Sequence, residues 1–116
     1  MRDAEVPIVA GGGTPFSNGL FFPGTQLCFG STCAGEPYEV ARGSDLRLYN
    51  LDLDVVANTH GILSDARKKS GAPLFVSDLI GGPGSTVVET SHLKPGVYGY
   101  SCRVHGAMRG VIEVTP

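Results

Sequence analysis

The sequence predicts an all-β protein, folded as a β-sandwich of about 7–8 strands. Glycine and proline account for 17 and 8 of the 116 residues, and they interrupt almost every window of about ten residues. Between these breaks the apolar residues form short segments that are rich in β-branched and aromatic side chains, which favour strands. The regular spacing of these segments is typical of a β-sandwich.

Eight segments carry the strand pattern, and one carries a helix pattern. The candidate strands are residues 5–9, 25–29, 38–41, 45–51, 73–76, 85–90, 97–101 and 111–114. The only plausible helix covers residues 64–70, SDARKKS, because glycine or proline interrupts almost every other window. The prediction of fold class therefore depends on the strands.

The candidate strand LRLYNLDLD contains a change of hydrophobic phase. Leu46 and Leu48 share one parity, whereas Tyr49, Leu51 and Leu53 share the other. Because neighbouring residues of a strand point to opposite faces, the buried face would switch near Leu48. We therefore expect a bulge or a bend at this point.

The chain length fits one compact domain. We expect residues 1–116, of which 41% are hydrophobic, to bury a single core, with residues 1–24 as a candidate loop-rich N-terminal arm. Residues 11–24 are rich in glycine, and they are either a surface loop tied to the domain or a partly mobile arm. Three phenylalanines would tie such a loop down: Phe16, Phe21 and Phe22.

Charge and hydropathy argue against several classes of function. Nine basic and eleven acidic residues give a formal net charge of −2, and no block of five like charges supports a nucleic-acid surface. No apolar run approaches the roughly 18 residues that span a bilayer, and the first residues, MRDAEVPIV, lack the pattern of a signal peptide. We therefore expect a soluble form with no membrane span and with any signal peptide absent.

The histidines limit the metal chemistry. There are three, His60, His92 and His105, and a cluster of several metal ions would need more nitrogen ligands than that. His92 lies in TSHLKPG, at an expected turn, and we interpret it as a solvated histidine.

The three cysteines are an odd number, so at least one stands apart from any disulfide. Cys28 and Cys33 enclose the four residues FGST, and a hairpin-like turn there would bring them within bridging distance. A disulfide would imply an oxidising compartment, such as a periplasm or the cell exterior; the alternative is two free buried thiols. The closed loop is short, so the bridge would contribute at most about 2–3 kcal/mol.

The most informative stretch is YGYSCRVHGAMRGVIEV, near the C-terminus. Tyr98, Tyr100 and Cys102 alternate along a candidate strand and so share one face, which we expect to be the core. After Cys102 the chain turns, and His105 and Met108 follow with the spacing C-x2-H-x2-M. Thiolate, imidazole and thioether together suit copper, whereas zinc rarely takes methionine.

A second imidazole would complete a trigonal plane of two histidines and one cysteine. His60, in ANTHGI just beyond the candidate strand at residues 45–51, is the natural candidate. We therefore predict a copper site formed by His60, Cys102, His105 and Met108. The axial position assigned to Met108 can also be filled by glutamine or a backbone oxygen.

These residues resemble the small blue copper proteins, or cupredoxins, of the plastocyanin and amicyanin type. The resemblance is carried by YGYSCRVHGAMRGVIEV and, more weakly, by GSDLRLYNLD and THGI, so it covers residues 43–116 and little of the first forty. The C-x2-H-x2-M loop is as short as that of amicyanins. The resemblance implies a Greek-key, cupredoxin-like sandwich and a mononuclear type 1 copper site, with two histidines and the cysteine close to the metal and Met108 as a weak axial ligand.

Two features depart from the family pattern. The interval from Asn50 to His60 is longer than is usual, and Gly61 follows His60 where many relatives have asparagine. That asparagine supplies a hydrogen bond near the cysteine sulfur, so Asn58 or a backbone amide would have to replace it.

The implied function is electron transport. One copper ion per chain, cycling between Cu(I) and Cu(II), would make the protein a one-electron carrier and not an enzyme. It would be a monomer in the periplasm or outside the cell, and transient redox partners would dock near His105. The alternatives are a copper delivery or storage protein, an excised cupredoxin domain of a larger copper oxidase or reductase, and a metal-free or zinc-bound structural sandwich.

Overall fold

A computed structural model describes five stretches of the chain: residues 5–11, 19–24, 26–29, 32–52 and 59–116. These residues form ten strands and no helix, and so none of their elements is a helix long and apolar enough to cross a membrane. The strands are β1 (Glu5–Gly11), β2 (Leu20–Phe22), β3 (Leu27–Phe29), β4 (Thr32–Ala34), β5 (Tyr38–Ala41), β6 (Asp45–Asn50), β7 (Ile62–Ser64), β8 (Gly84–Val88), β9 (Gly96–Cys102) and β10 (Arg109–Thr115).

The strands form two four-stranded sheets and one short hairpin. The first sheet has the order β2-β1-β6-β8, the second has the order β5-β10-β9-β7, and β3 pairs with β4. Both four-stranded sheets are mixed, because β1 runs parallel to β6 and β5 runs parallel to β10, while the other neighbours are antiparallel. The predicted all-β sandwich is confirmed, with eight strands in its two sheets.

The core lies between the two sheets, because their inward-facing side chains belong to one buried cluster. Phe21 of the first sheet meets Tyr100 of the second edge to face, with ring centroids 5.1 Å apart. Gly110 lies opposite Tyr100 in the strand register, and a Cβ at that glycine would overlap the tyrosine hydroxyl. The fully buried apolar residues include Ile8, Leu46, Leu48, Ile62, Tyr100, Met108 and Ile112.

The prediction that the buried face switches near Leu48, with a bulge or a bend, is wrong. Strand β6 pairs with β1 and β8 in an unbroken register, and Leu46, Leu48 and Asn50 are all buried. Tyr49 and Leu51 point outward, at 39% and 62% exposure. The buried face of β6 therefore includes a polar residue, Asn50, after Leu46 and Leu48. The apolar side chains on the opposite face, Tyr49 and Leu51, stay at the surface.

The helix predicted over residues 64–70 is also wrong. Strand β7 ends at Ser64, and the chain continues into a turn in which Arg67 forms a β-bridge with Pro73. The amide of Ser64 donates to the carbonyl of Phe75, and the amide of Asp65 donates to a carbonyl of β9. The amide of Lys68, which in such a helix would donate to the carbonyl of Ser64, donates instead to the carbonyl of Ala72.

Other strand predictions are close to the structure. The predicted segment 38–41 coincides with β5, and β1, β6, β8, β9 and β10 overlap their predicted segments. Residues 73–76 form only isolated bridges, whereas the short strands β2, β4 and β7 were not predicted. Phe21 of β2 is buried and Phe22 is 40% exposed; Phe16 and Leu53 lie outside the described residues.

The predicted disulfide between Cys28 and Cys33 is confirmed. The two residues face each other across the β3–β4 hairpin and are bridged, with their Cα atoms 3.9 Å apart. The side-chain amide of Gln26, just before β3, donates to the carbonyl of Val111 and accepts from its amide, at 3.2 and 2.8 Å. This pair of hydrogen bonds joins the start of the hairpin to β10. Cys102 is a free, buried thiol.

Replacing both bridged cysteines, Cys28→Ala with Cys33→Ala, should lower the free energy of unfolding by no more than about 2–3 kcal/mol, because the bridge closes only a short loop. The fold should survive, since neither hairpin strand belongs to a four-stranded sheet. Urea unfolding followed by circular dichroism measures the change, with the wild-type protein in a reducing agent as the matched control. Loss of the cooperative transition in the variant would contradict this prediction.

Candidate metal centre

Three of the four predicted ligand residues come together in the structure. One donor atom from each of His60, Cys102 and His105 lies within 4.8 Å of the other two. The Cys102 Sγ is 3.4 Å from Nδ1 of His105 and 3.8 Å from Nδ1 of His60. Metal–sulfur and metal–nitrogen bonds of about 2.3 and 2.0–2.1 Å, at tetrahedral or trigonal angles, separate sulfur from nitrogen by about 3.5–3.8 Å. The observed separations therefore fit donors around a single ion.

Strand pairing fixes the cysteine and the loop that follows it. Cys102 is the last residue of β9 and lies opposite Ile62 of β7. Its amide donates to the carbonyl of Met108 at 2.8 Å, and the amide of Met108 donates to the carbonyl of His105 at 2.9 Å. These two bonds close the loop that connects β9 to β10. The position of His105 is thus determined by a short, internally bonded turn.

A second segment holds His60. Its amide and carbonyl form a two-bond bridge with Ile80, at 3.0 and 2.9 Å. The next residue, Gly61, lies so close to this segment that a Cβ there would be 2.9 Å from the carbonyl oxygen of Asp78 and 3.0 Å from a methyl group of Leu79. The glycine that departs from the family pattern is therefore required by the close approach of residues 78–80.

Asp52 makes the closest contact to His60. Its Oδ2 lies 2.7 Å from His60 Nε2, and both side chains are buried, at 6% and 0% exposure. A carboxylate accepts the proton of the imidazole N–H, so this contact assigns a proton to Nε2 and leaves Nδ1 as the nitrogen that faces Cys102.

Asp52 was not among the residues predicted for the site. The signal was present in the parity of β6, because Asp52 follows Leu46, Leu48 and Asn50 at intervals of two and all four are buried. A polar residue on the buried face of a strand needs a hydrogen-bond partner inside the protein. This pattern was hard to see because apolar residues, Tyr49 and Leu51, occupy the opposite face.

The surroundings of Cys102 favour its thiolate. Burial raises the pKa of the thiol, but hydrogen bonds from His60, from the backbone amides of Val104 and Gly61, and from His105 lower it more, to about 6. A backbone amide, that of Gly61, thus serves the sulfur where relatives use asparagine; Asn58 lies outside the described residues. Burial lowers the pKa of His60, but its hydrogen bonds with Cys102 and Asp52 raise it overall.

The two remaining candidates differ in their placement. Met108 is almost fully buried, at 1% exposure, and belongs to the same core cluster as Cys102. Its role as the axial ligand stays a prediction. His92 lies apart from the cluster: it is exposed, and its Nε2 is 2.9 Å from the carbonyl oxygen of Leu74.

The donor set is chemically suited to copper. One thiolate and two imidazoles, with a thioether on the same loop, match the ligands of copper sites that transfer electrons. The thiolate is stabilised in advance by hydrogen bonds, and the imidazole of His60 is oriented in advance by Asp52. Such a preformed site requires little rearrangement when a metal binds.

No model of a known protein family and no curated protein sequence matches the chain. Solved structures do match it. A copper-containing nitrite reductase from Thermus scotoductus SA-01 superimposes with a TM-score of 0.64 at 20% identity, over 100% of this chain and 23% of the reductase. A purple cupredoxin from Nitrosopumilus maritimus superimposes with a TM-score of 0.61 at 20% identity, over 95% of this chain and 99% of that protein.

A mutant amicyanin in its reduced Cu(I) form also matches, with a TM-score of 0.52 at 17% identity, over 78% of this chain and 91% of the amicyanin. The chain thus spans about a quarter of the nitrite reductase but nearly the whole of the purple cupredoxin. At these identities the similarity is one of fold. The protein has the cupredoxin fold, as the resemblance in its C-terminal sequence implied.

Proposed function

We propose that the protein is a type 1 mononuclear copper protein that carries one electron at a time between redox partners. The observation that carries this proposal is the convergence of His60, Cys102 and His105 at sulfur-to-nitrogen separations that fit one metal ion. These three residues would be the close ligands, and Met108 would be the axial ligand. A bound copper ion would supply the one-electron Cu(I)/Cu(II) couple.

The protein's part in this function is to keep the donor atoms in place. Cys102 is held by β7 and β9, His60 by its bridge with Ile80, and His105 by the bonded turn before Met108. Donors that are fixed in one arrangement require little reorganisation when the charge of the site changes by one unit. A closed set of donors in a buried position also suits electron transfer better than catalysis, which needs an open coordination position. We therefore infer that the protein is not itself an enzyme.

His105 is the candidate point of electron entry and exit. It is partly exposed, whereas His60 and Cys102 are buried. The residues beside it on the loop, Val104, Gly106 and Ala107, are exposed, Val104 at 52%. A small apolar surface around one exposed ligand fits brief contacts with redox partners, which typically bury less than about 1,200 Å². We infer that a monomer makes these contacts.

The disulfide supports a location outside the cytoplasm. A bridge such as Cys28–Cys33 persists in oxidising compartments and is rare in the cytosol. We therefore infer that the protein works in the periplasm or at the cell exterior.

A second candidate is a copper domain of a larger reductase or oxidase. The matches to only 23% of the nitrite reductase and to 27% of a multicopper oxidase from Pediococcus acidilactici favour it. The match to 99% of the purple cupredoxin favours residues 1–116 as one cupredoxin-like domain. A copper storage or delivery role gains less support, because the chain has only two methionines, Met1 and Met108.

Adding Cu(II) to the purified protein should produce an intense visible thiolate-to-copper absorption band and narrow copper hyperfine splitting in the electron paramagnetic resonance spectrum, since the sulfur would share the unpaired electron. Ascorbate should bleach the band, and reoxidation should restore it. The matched variant Cys102→Ser should lack the band. A colourless or ordinary tetragonal Cu(II) spectrum from the wild-type protein would refute the carrier function.

Changing Met108 should alter the reduction potential and retain the visible band, because an axial ligand tunes the couple while the thiolate produces the colour. Met108→Leu removes a weak donor and should raise the potential, whereas Met108→Gln supplies a harder oxygen donor and should lower it. Voltammetry of both variants measures the shifts, and the leucine variant should lose less than about 1.5 kcal/mol of stability. Equal potentials in all three proteins would exclude Met108 as a ligand.

The thiol of Cys102 should titrate near pH 6 in the folded, metal-free protein, because its pKa is lowered to about 6 from an ordinary value of 9.0. Its ultraviolet thiolate absorbance should therefore rise through pH 6, and in urea it should rise only near pH 9. Protons compete with the metal for this sulfur, so copper affinity should fall by about a factor of ten for each pH unit below 6. Cys102→Ser provides the blank, and a folded-state transition near pH 9 would contradict the prediction.

A further inference from the structure

We propose that Asp52 is a positioning residue for the metal centre: its carboxylate holds the His60 imidazole in one orientation and one tautomer, and its buried negative charge favours Cu(II) over Cu(I). This inference builds on the proposed function and adds to it a residue that controls the reduction potential. It assigns a role to the one carboxylate that the described residues place in direct contact with a ligand candidate.

The contact has the geometry that such a role requires. The imidazole of His60 lies between the carboxylate and the sulfur, with Nε2 2.7 Å from Asp52 Oδ2 and Nδ1 3.8 Å from Cys102 Sγ. The Nε2–H donates to the carboxylate, so Nδ1 is the nitrogen that faces the sulfur and that would bind a metal ion. A hydrogen bond of this kind fixes the tautomer and makes the imidazole a stronger donor toward a metal.

Asp52 is itself held in place. Its amide donates to Oδ1 of Asn50 at 2.9 Å, and Nδ2 of Asn50 donates to the carbonyl of Ile80 at 2.8 Å. Ile80 is also the bridge partner of His60. These contacts form a closed ring that runs from His60 through Ile80, Asn50 and Asp52 back to His60.

A further constraint acts on the backbone of Asp52. A Cβ at Gly82 would overlap the carbonyl group of Asp52, so the two chain segments touch at this point. Glycine permits that approach, and the approach prevents the Asp52 backbone from moving toward residue 82. The backbone from which the carboxylate extends toward His60 is therefore fixed by contacts within the protein.

The charge of Asp52 should act on the metal across the imidazole. The Asp52 side chain is only 6% exposed, so solvent screens its charge weakly. A fixed negative charge attracts Cu(II) more strongly than Cu(I), because the two states differ by one unit of charge. The carboxylate should therefore lower the reduction potential. An exposed carboxylate such as that of Asp78 should have much less effect, because water screens it.

The test compares Asp52→Asn, Asp52→Ala and the matched control Asp78→Asn. Asp52→Asn removes the charge and retains the shape of the side chain, and we expect the Cu(II)/Cu(I) ratio at a fixed potential to fall about tenfold, a rise of about 59 mV. Asp78→Asn should change this ratio less than twofold. Redox titration of the visible band measures both. A wild-type potential in a folded, coloured Asp52→Asn protein would overturn the inference.

A second readout does not require the visible band. Nitrogen NMR of the metal-free protein should show His60 protonated at Nε2, with a slowly exchanging proton, and Asp52→Ala should abolish that slow exchange. A wild-type His60 protonated at Nδ1 alone would overturn the inference even if the variants fail to fold. Absence of the copper band in the wild-type protein would refute the proposed function separately, since the NMR result does not depend on it.

Discussion

The candidate metal centre depends on surrounding one buried sulfur, that of Cys102, with hydrogen-bond donors. A buried thiolate is costly unless hydrogen-bond donors surround it. The donors around Cys102 come from the loop after β9 and from the segment that leads into β7. Val104 and His105 follow it along the chain, while His60 and Gly61 are brought to it by the pairing of β7 with β9. The same strand pairing thus brings together the groups that hydrogen-bond the sulfur and the donor atoms of the candidate metal site.

The two imidazoles are held differently. His60 is fully buried, is bonded to Asp52 and is bridged to Ile80, whereas His105 lies on a turn and is partly exposed. One candidate ligand is therefore anchored in the interior, and the other reaches the surface. The proposed carrier would need both, because the geometry must stay fixed while a partner approaches from outside.

Local patterns predicted the parts of this protein that local forces determine. The spacing of Cys102, His105 and Met108 lies within one loop, and the disulfide lies within one hairpin. The errors arose where distant segments decide the outcome. Where a helix was expected over residues 64–70, the amide of Ser64 instead donates to Phe75 and that of Asp65 to Gly99. The Asn50 side chain is buried because Ile80 accepts its hydrogen bond, and Asp52 is buried because His60 pairs with it. The spacing of hydrophobic residues along the chain does not predict any of these partners, because they lie in other segments of the chain.

The ring that joins Asn50, Asp52, His60 and Ile80 also explains how the chain accommodates the long interval before His60. Its contacts clamp the chain at residue 52 and again at residue 60, on either side of the extra length. Closing a loop costs only slightly more free energy as the loop lengthens. Insertions and deletions between residues 52 and 60 should therefore leave the position of the His60 imidazole unchanged. The length of this segment can then differ between related proteins.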